Sequence, residues 1–84
     1  MNPRKLFQKA LDRPKNLPFH DLLKLAKAFG FVLTRVNGSH HILVHPDVDQ
    51  PLNLQEIGGK AKPYQVRQFI RLIEENDVNF EDWT

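Results

Sequence analysis

The chain has 84 residues, no cysteine, 12 lysines and arginines against 10 acidic residues, and 4 histidines, for a formal net charge of +2. A chain of this length makes one small domain, here residues 1–84, burying about 60–65% of the surface it exposes when unfolded. Disulfides, a cysteine-based metal site and a deep second cavity are therefore excluded, and any active site is a surface cleft.

The charge is uneven. Residues 1–30 carry seven basic side chains against two acidic ones, residues 31–76 balance five and five, and residues 77–84 hold three acids and no base. A basic front half suits an anionic partner such as RNA, and equally suits helices that only solvate their outer faces. Met1-Asn2-Pro3-Arg4-Lys5 does not lead into a continuous apolar stretch, so no signal peptide or membrane span is expected and the expected location is cytoplasmic.

The first predicted element is a short helix from Pro3 to Leu11, with proline near the first turn where its missing N–H does no harm. Asp12-Arg13-Pro14-Lys15-Asn16 breaks it. From Pro18 to Ala28 the residues Phe19, Leu22, Leu23, Ala26 and Phe29 recur at helical spacing, and Asp21 and Lys27 fall where the helix dipole prefers them. Gly30 is the expected stop.

Phe31–Val36 is a strand by composition, Asn37-Gly38 a hairpin signal, and Ser39–His45 the return strand, ended by Pro46. Asp47–Pro51 reads as a loop and Leu52–Gln55 as a short third strand, broken by Gly58-Gly59. Pro63 opens a last helix with Val66, Phe69, Ile70 and Ile73 on one face and Tyr64, Gln65, Arg67, Gln68 and Arg71 elsewhere. The expected fold is α+β, in the order α-α-β-β-β-α: a three-stranded antiparallel sheet with helices on one face.

The chemistry concentrates in two places. Gly38-Ser39-His40-His41 puts two histidines, which exchange protons near neutral pH, directly after a tight turn. Gly58-Gly59-Lys60-Ala61-Lys62-Pro63 is a glycine-rich basic loop running into a helix whose N-terminus favours phosphate.

Strand alternation sets His40, Ile42 and Val44 on one face and His41, Leu43 and His45 on the other. The first face reads as the buried one. His40 is then either a packed histidine at the end of the core or a rim group at the first pleat, and His41 belongs on the solvent face. His41 and His45, four apart along a strand, lie about 13 Å from one another, too far to chelate one ion. No metal site and no cofactor are expected. His20 reads as a surface residue, and Phe7, Phe19, Phe29, Phe31 and Phe69 as core. Arg67 and Arg71 are candidates to extend a basic track, and Tyr64 either stacks on a base or caps the core. The packing of Trp83, in the acidic tail Glu81-Asp82-Trp83, is left open by the sequence.

Gly38-Ser39-His40, His45-Pro46 and Gly59-Lys60…Lys62-Pro63, in this order and spacing, resemble the HicA (YcfA-like) toxin family over about Leu17–Asn76. The resemblance implies a fold like the double-stranded-RNA-binding domain. It also implies an endoribonuclease that cleaves mRNA and arrests translation, and neutralisation by a HicB-type antitoxin. By position His40 is the implied catalytic residue, acting without metal, and Gly38, Ser39, His41, Lys60 and Lys62 are the candidate RNA-binding residues. Neither a membrane nor a small-molecule cofactor is an expected partner. Residues 1–16 stand apart from the compact family pattern as an N-terminal helical extension, ahead of a core at 17–76 and an acidic tail at 77–84. A non-catalytic RNA-binding module, or a protein-interaction domain on the same scaffold, is the alternative.

Overall fold

The computed structural model describes residues 2–80. Its elements run α1 (Pro3–Asp12), a single 3-10 turn (Pro14–Asn16), α2 (Phe19–Ala28), β1 (Val32–Asn37), β2 (His40–His45), β3 (Val48–Ile57), β4 (Lys60–Ala61) and α3 (Pro63–Glu75). The architecture is α+β, and the four strands form one antiparallel sheet in the order β1-β2-β3-β4. The order of helices and principal strands is the expected one. The two-residue β4 is an addition, folded back from β3.

Local chemistry accounts for the helix boundaries. The Asn2 side chain accepts the Lys5 N–H at 2.9 Å and Pro3 takes the first helical position, so α1 starts capped. α2 ends in a Schellman motif, with Phe31 N–H donating to Ala26 O at 3.1 Å and Gly30 N–H to Lys27 O at 3.0 Å. α3 ends the same way, with Val78 N–H on Ile73 O at 2.9 Å, but here the left-handed position is held by Asp77 at φ 52°.

One face of the sheet is packed and the other is open. Leu43, Leu52 and Leu54 are fully buried beneath Leu22, Leu25 and Ala26 of α2 and Val66, Phe69 and Leu72 of α3. Leu6 and Ala10 of α1 join the same cluster, so the helical extension is built into the core. Phe29 is the hub of the aromatic layer, stacked on Phe80 at 4.2 Å and edge-on to Phe7 and Phe69 at 5.3 and 5.7 Å. Phe7 is half-buried, whereas Phe19, Phe29, Phe31 and Phe69 are buried as expected. Glu81, Asp82 and Trp83 lie outside the described residues.

Three strand-level expectations and one on α3 are corrected. The β1–β2 hairpin turns on Gly38-Ser39, with Asn37 paired to His40, one residue later than the Asn-Gly dipeptide suggested. Of the two turn residues Gly38 has the positive φ (61°), the preference of a II′ turn for glycine at its first position. The Asp47–Pro51 segment is not a loop: Val48 already pairs with His45, and Asp49, Gln50 and Pro51 form an irregularity opposite Val44 before Leu52 pairs with Leu43. Proline fits there because no ladder bond is demanded of its nitrogen.

Gly58-Gly59 is likewise a tight turn between paired Ile57 and Lys60. Its two positive φ values, 60° and 75°, make it a I′-type hairpin rather than a loose loop. Finally, Gln65 is buried, because its Oε1 accepts the Gln55 N–H at 3.1 Å where β4 is too short to do so.

Candidate functional site

The orientation of β2 decides what the site is, and it is opposite to the one expected. Leu43 and His45 are buried and His41 is half-buried, while His40 and Val44 are exposed and Ile42 is half-covered. The expected alternation holds, but the assignment of faces is inverted. Ile42 and Val44 read as core in the sequence because they are apolar. In a sheet covered on one side, β-branched residues also populate the open side.

The two inward histidines have structural partners. His45 packs on the Phe31 ring at 5.1 Å, and its Nδ1 accepts the Asp47 N–H at 3.0 Å, closing the Pro46-Asp47 turn. His41 lies 4.7 Å from the Phe19 ring and donates Nδ1–H to the Ser39 carbonyl at 3.2 Å. His41 thus faces the start of α2 rather than solvent.

His40 projects from the open face. Its Nδ1 is 3.1 Å from Oδ1 of Asn53. It lines a depression of about 360 Å³ with Arg35, Asn37, Ile42 and Asn53. Two rows of outward residues build this surface: Arg35, Ile42 and Asn53 are paired across β1, β2 and β3, and so are Asn37, His40 and Gln55. Arg35 and Asn53 are the residues that sequence reasoning missed. Asn53 carried a signal, as the polar member of the Leu52-Asn53-Leu54 alternation. Arg35 carried none, because its face depends on an irregularity in β1.

The two glycine turns are neighbours at one end of the sheet. Glu56 N–H donates to Ser39 O at 3.0 Å, and Gln55 Nε2 donates to Ser39 Oγ at 3.3 Å. A Cβ at Gly38, Gly58 or Gly59 would meet nothing within 4 Å, so both turns offer bare backbone to whatever approaches. Lys60 and Lys62 are exposed on either side of buried Ala61, and Lys62 stands at the uncapped start of α3. By strand spacing Lys60 sits about 10 Å across the sheet from β2 and about 7 Å along it from His40. The structure therefore brings Gly38, Ser39 and His40 together, and sets Lys60 and Lys62 beside that group rather than in the same depression.

The remaining candidates fall away from this chemistry. His20 is exposed beside Asp21 at 3.2 Å, and Tyr64, Arg67 and Arg71 are exposed on α3. A depression of about 400 Å³ at the other end is lined by Phe7, Phe29 and Phe80, with Glu74 and Asp77 at its rim. It offers no histidine or lysine, so size is a poor guide here. Among the described residues no three His, Cys, Asp or Glu side chains group to hold a metal ion, and no helix is long and apolar enough to cross a membrane.

The family model described as HicA toxin of bacterial toxin-antitoxin matches residues 19–74, from the start of α2 almost to the end of α3. The chain belongs to the HicA toxin family. Its role is that of the toxin of a toxin–antitoxin pair. The HicA match begins after α1, so Leu6 and Ala10 complete the core from outside the matched region. No curated protein and no solved structure matches the chain closely enough to count.

Proposed function

We propose that this HicA-family toxin is a metal-independent endoribonuclease of the cytoplasm, with His40 as its general acid or base. The observation that carries the reading is the exposure of His40: its ring stands in a polar depression on the open face of the sheet, bonded to Asn53, with no part in the core. A histidine so held is available to a substrate, as the buried His45 is not.

The cleavage needs three things from the protein. A base draws the proton from the ribose 2′-OH as that oxygen bonds to phosphorus. Positive groups offset the charge that builds on the phosphorane. An acid protonates the 5′-oxygen as its bond to phosphorus breaks. A positioned histidine serves the first or last step, typically worth ~10²–10⁴-fold. Exposed cations and backbone N–H groups serve the second. Lys60, Lys62 and the bare turns at Gly38-Ser39 and Gly58-Gly59 bind the flanking phosphates, and His41, half-buried beside Ser39, lines the edge of the RNA path. A HicB-type antitoxin neutralises the toxin by covering the His40 face.

Induced expression of the wild type should arrest bacterial growth with cleavage of mRNA, and the purified protein should cut RNA in excess EDTA. His40→Ala should remove growth arrest and cleavage while melting at the wild-type temperature and binding RNA with near wild-type affinity. A folded His40→Ala protein that cuts at the wild-type rate refutes the assignment. A wild type that binds RNA without cutting it makes the chain a non-catalytic RNA-binding module. Cleavage lost in EDTA and restored by a divalent ion removes the metal-free mechanism.

A further inference from the structure

Asn53 makes the hydrogen bond that fixes the His40 ring. Its Oδ1 lies 3.1 Å from Nδ1, and an amide oxygen only accepts, so with the amide turned this way Nδ1 is the donor and the lone pair of a neutral ring falls on Nε2. Asn53 reaches His40 on the diagonal, from its place opposite Ile42.

Arg35 flanks Ile42 on the other side, and it is there because β1 is bulged. Counting from the Leu33–Leu43 pair without interruption, Thr34 would oppose Ile42 and Arg35 would oppose His41 on the packed face. The register shifts between Leu33 and Arg35, so Thr34 becomes the extra residue and Arg35 opposes Ile42. Thr34 Oγ1–H donates to the Ile42 carbonyl at 3.1 Å and pins the irregularity. A bulge re-aims a side chain by this means. Arg35 is exposed and, among the described residues, makes no ion pair.

We propose that Asn53 is a positioning residue that holds His40 as its Nδ1–H tautomer, so that Nε2 meets the substrate beside Arg35, which binds the phosphate under attack. The proposal rests on His40 as the acid–base group of RNA cleavage. The 2′-OH proton passes to Nε2 and the 2′-oxygen bonds to phosphorus. The bond to the 5′-oxygen breaks, and that oxygen takes a proton from water. Arg35 faces the non-bridging oxygens throughout, where a guanidinium makes paired hydrogen bonds to phosphate.

The test reads the tautomer first. Nitrogen-15 NMR of the neutral imidazoles should find His40 protonated on Nδ1 in the wild type. In Asn53→Ala the proton should move toward Nε2, and in Asn53→Asp, which keeps an acceptor, it should stay on Nδ1. A wild-type ring protonated on Nε2, or a tautomer unmoved by Asn53→Ala, overturns the proposal.

In cleavage assays Asn53→Ala should lower kcat by about 10- to 100-fold, with KM within roughly twofold and the melting temperature unchanged. Asn53→Asp should recover part of kcat and move the pH profile upward, since a carboxylate favours the imidazolium. Equal loss of kcat in both variants counts against positioning. Arg35→Gln should lose kcat/KM, with partial recovery in Arg35→Lys, and an unchanged kcat/KM in Arg35→Gln removes the phosphate role. The spectra decide the tautomer whether or not RNA is cut, so an inactive wild type with Nδ1–H overturns the catalytic reading alone.

Discussion

His40 and His41 are neighbours in sequence and live on opposite sides of one sheet. His40 is exposed, held at its edge by an asparagine amide, while His41 is half-buried against Phe19 and tied to the turn carbonyl before it. The pleat alone produces the division, since each step along a strand reverses the face. The lesson is that Gly-Ser-His-His delivers two histidines to two settings, one on the solvent side beside Asn53 and one on the helix side against Phe19.

The comparison can be broken by stability measurements. The largest effect is expected at the residue that most clearly belongs to the packed face: Leu43→Ala should cost about 2–5 kcal/mol, a large share of the roughly 5–15 kcal/mol typical of a folded domain. His41→Ala should be intermediate, at about 1 kcal/mol for a ring packed on an aromatic neighbour, or a drop of roughly 4–8 °C in melting temperature. Thermal melts of both, set beside His40→Ala, check the ordering. A His40→Ala protein that melts lower than His41→Ala would invert the two faces.

The lysine pair sharpens the comparison on the binding side. Replacing Lys60 and Lys62 with glutamine should weaken RNA binding alike across sequences. It should also flatten the plot of log K against log salt by about 0.7 for each phosphate that is no longer neutralised. A salt titration with single-stranded RNA measures it. An unchanged slope would move the RNA-binding surface toward the basic α1 and α2.

The smallest effect lies far from either histidine. Asp77 occupies the left-handed position that ends α3, where glycine is free of the side-chain clash and an acid sits badly with the helix dipole. Asp77→Gly should therefore stabilise the protein by about 0.5–1 kcal/mol, read as a higher melting temperature with cleavage unchanged.

The helices are legible in the sequence because their apolar spacing is long and redundant: Phe19, Leu22 and Ala26 on α2, and Val66, Phe69 and Ile73 on α3, fall where periodicity sets them. The strands are less so. Asn37-Gly38 is a strong dipeptide signal, yet pairing shifts the turn by one residue onto Gly38-Ser39. Asp49 and Pro51 disguise the first half of β3, since a ten-residue strand with a proline in its irregular part has a loop's composition.

In the site, the spacing of Gly38, Ser39 and His40 is readable, but the face of β2 is not. Alternation fixes which residues share a side and leaves open which side the helices cover. Arg35 is out of reach altogether, because a bulge is a property of two paired strands and β1 alone does not encode it.

The bulge at Thr34 also bears on how this chain behaves among copies of itself. Of the sheet's two margins, β4 is closed by the chain's own residues: Ala61 N–H donates to Leu17 O at 3.1 Å, Phe19 N–H donates to Gly59 O at 3.0 Å, and Pro18 bridges Lys60. Among the described residues β1 is the margin with no strand beyond it, and a flat uncovered strand is a template on which a second chain can pair. An irregular strand with an extra residue does not present that regular row of donors and acceptors. The distortion that turns Arg35 toward His40 also blunts the one edge from which the sheet would grow into an aggregate.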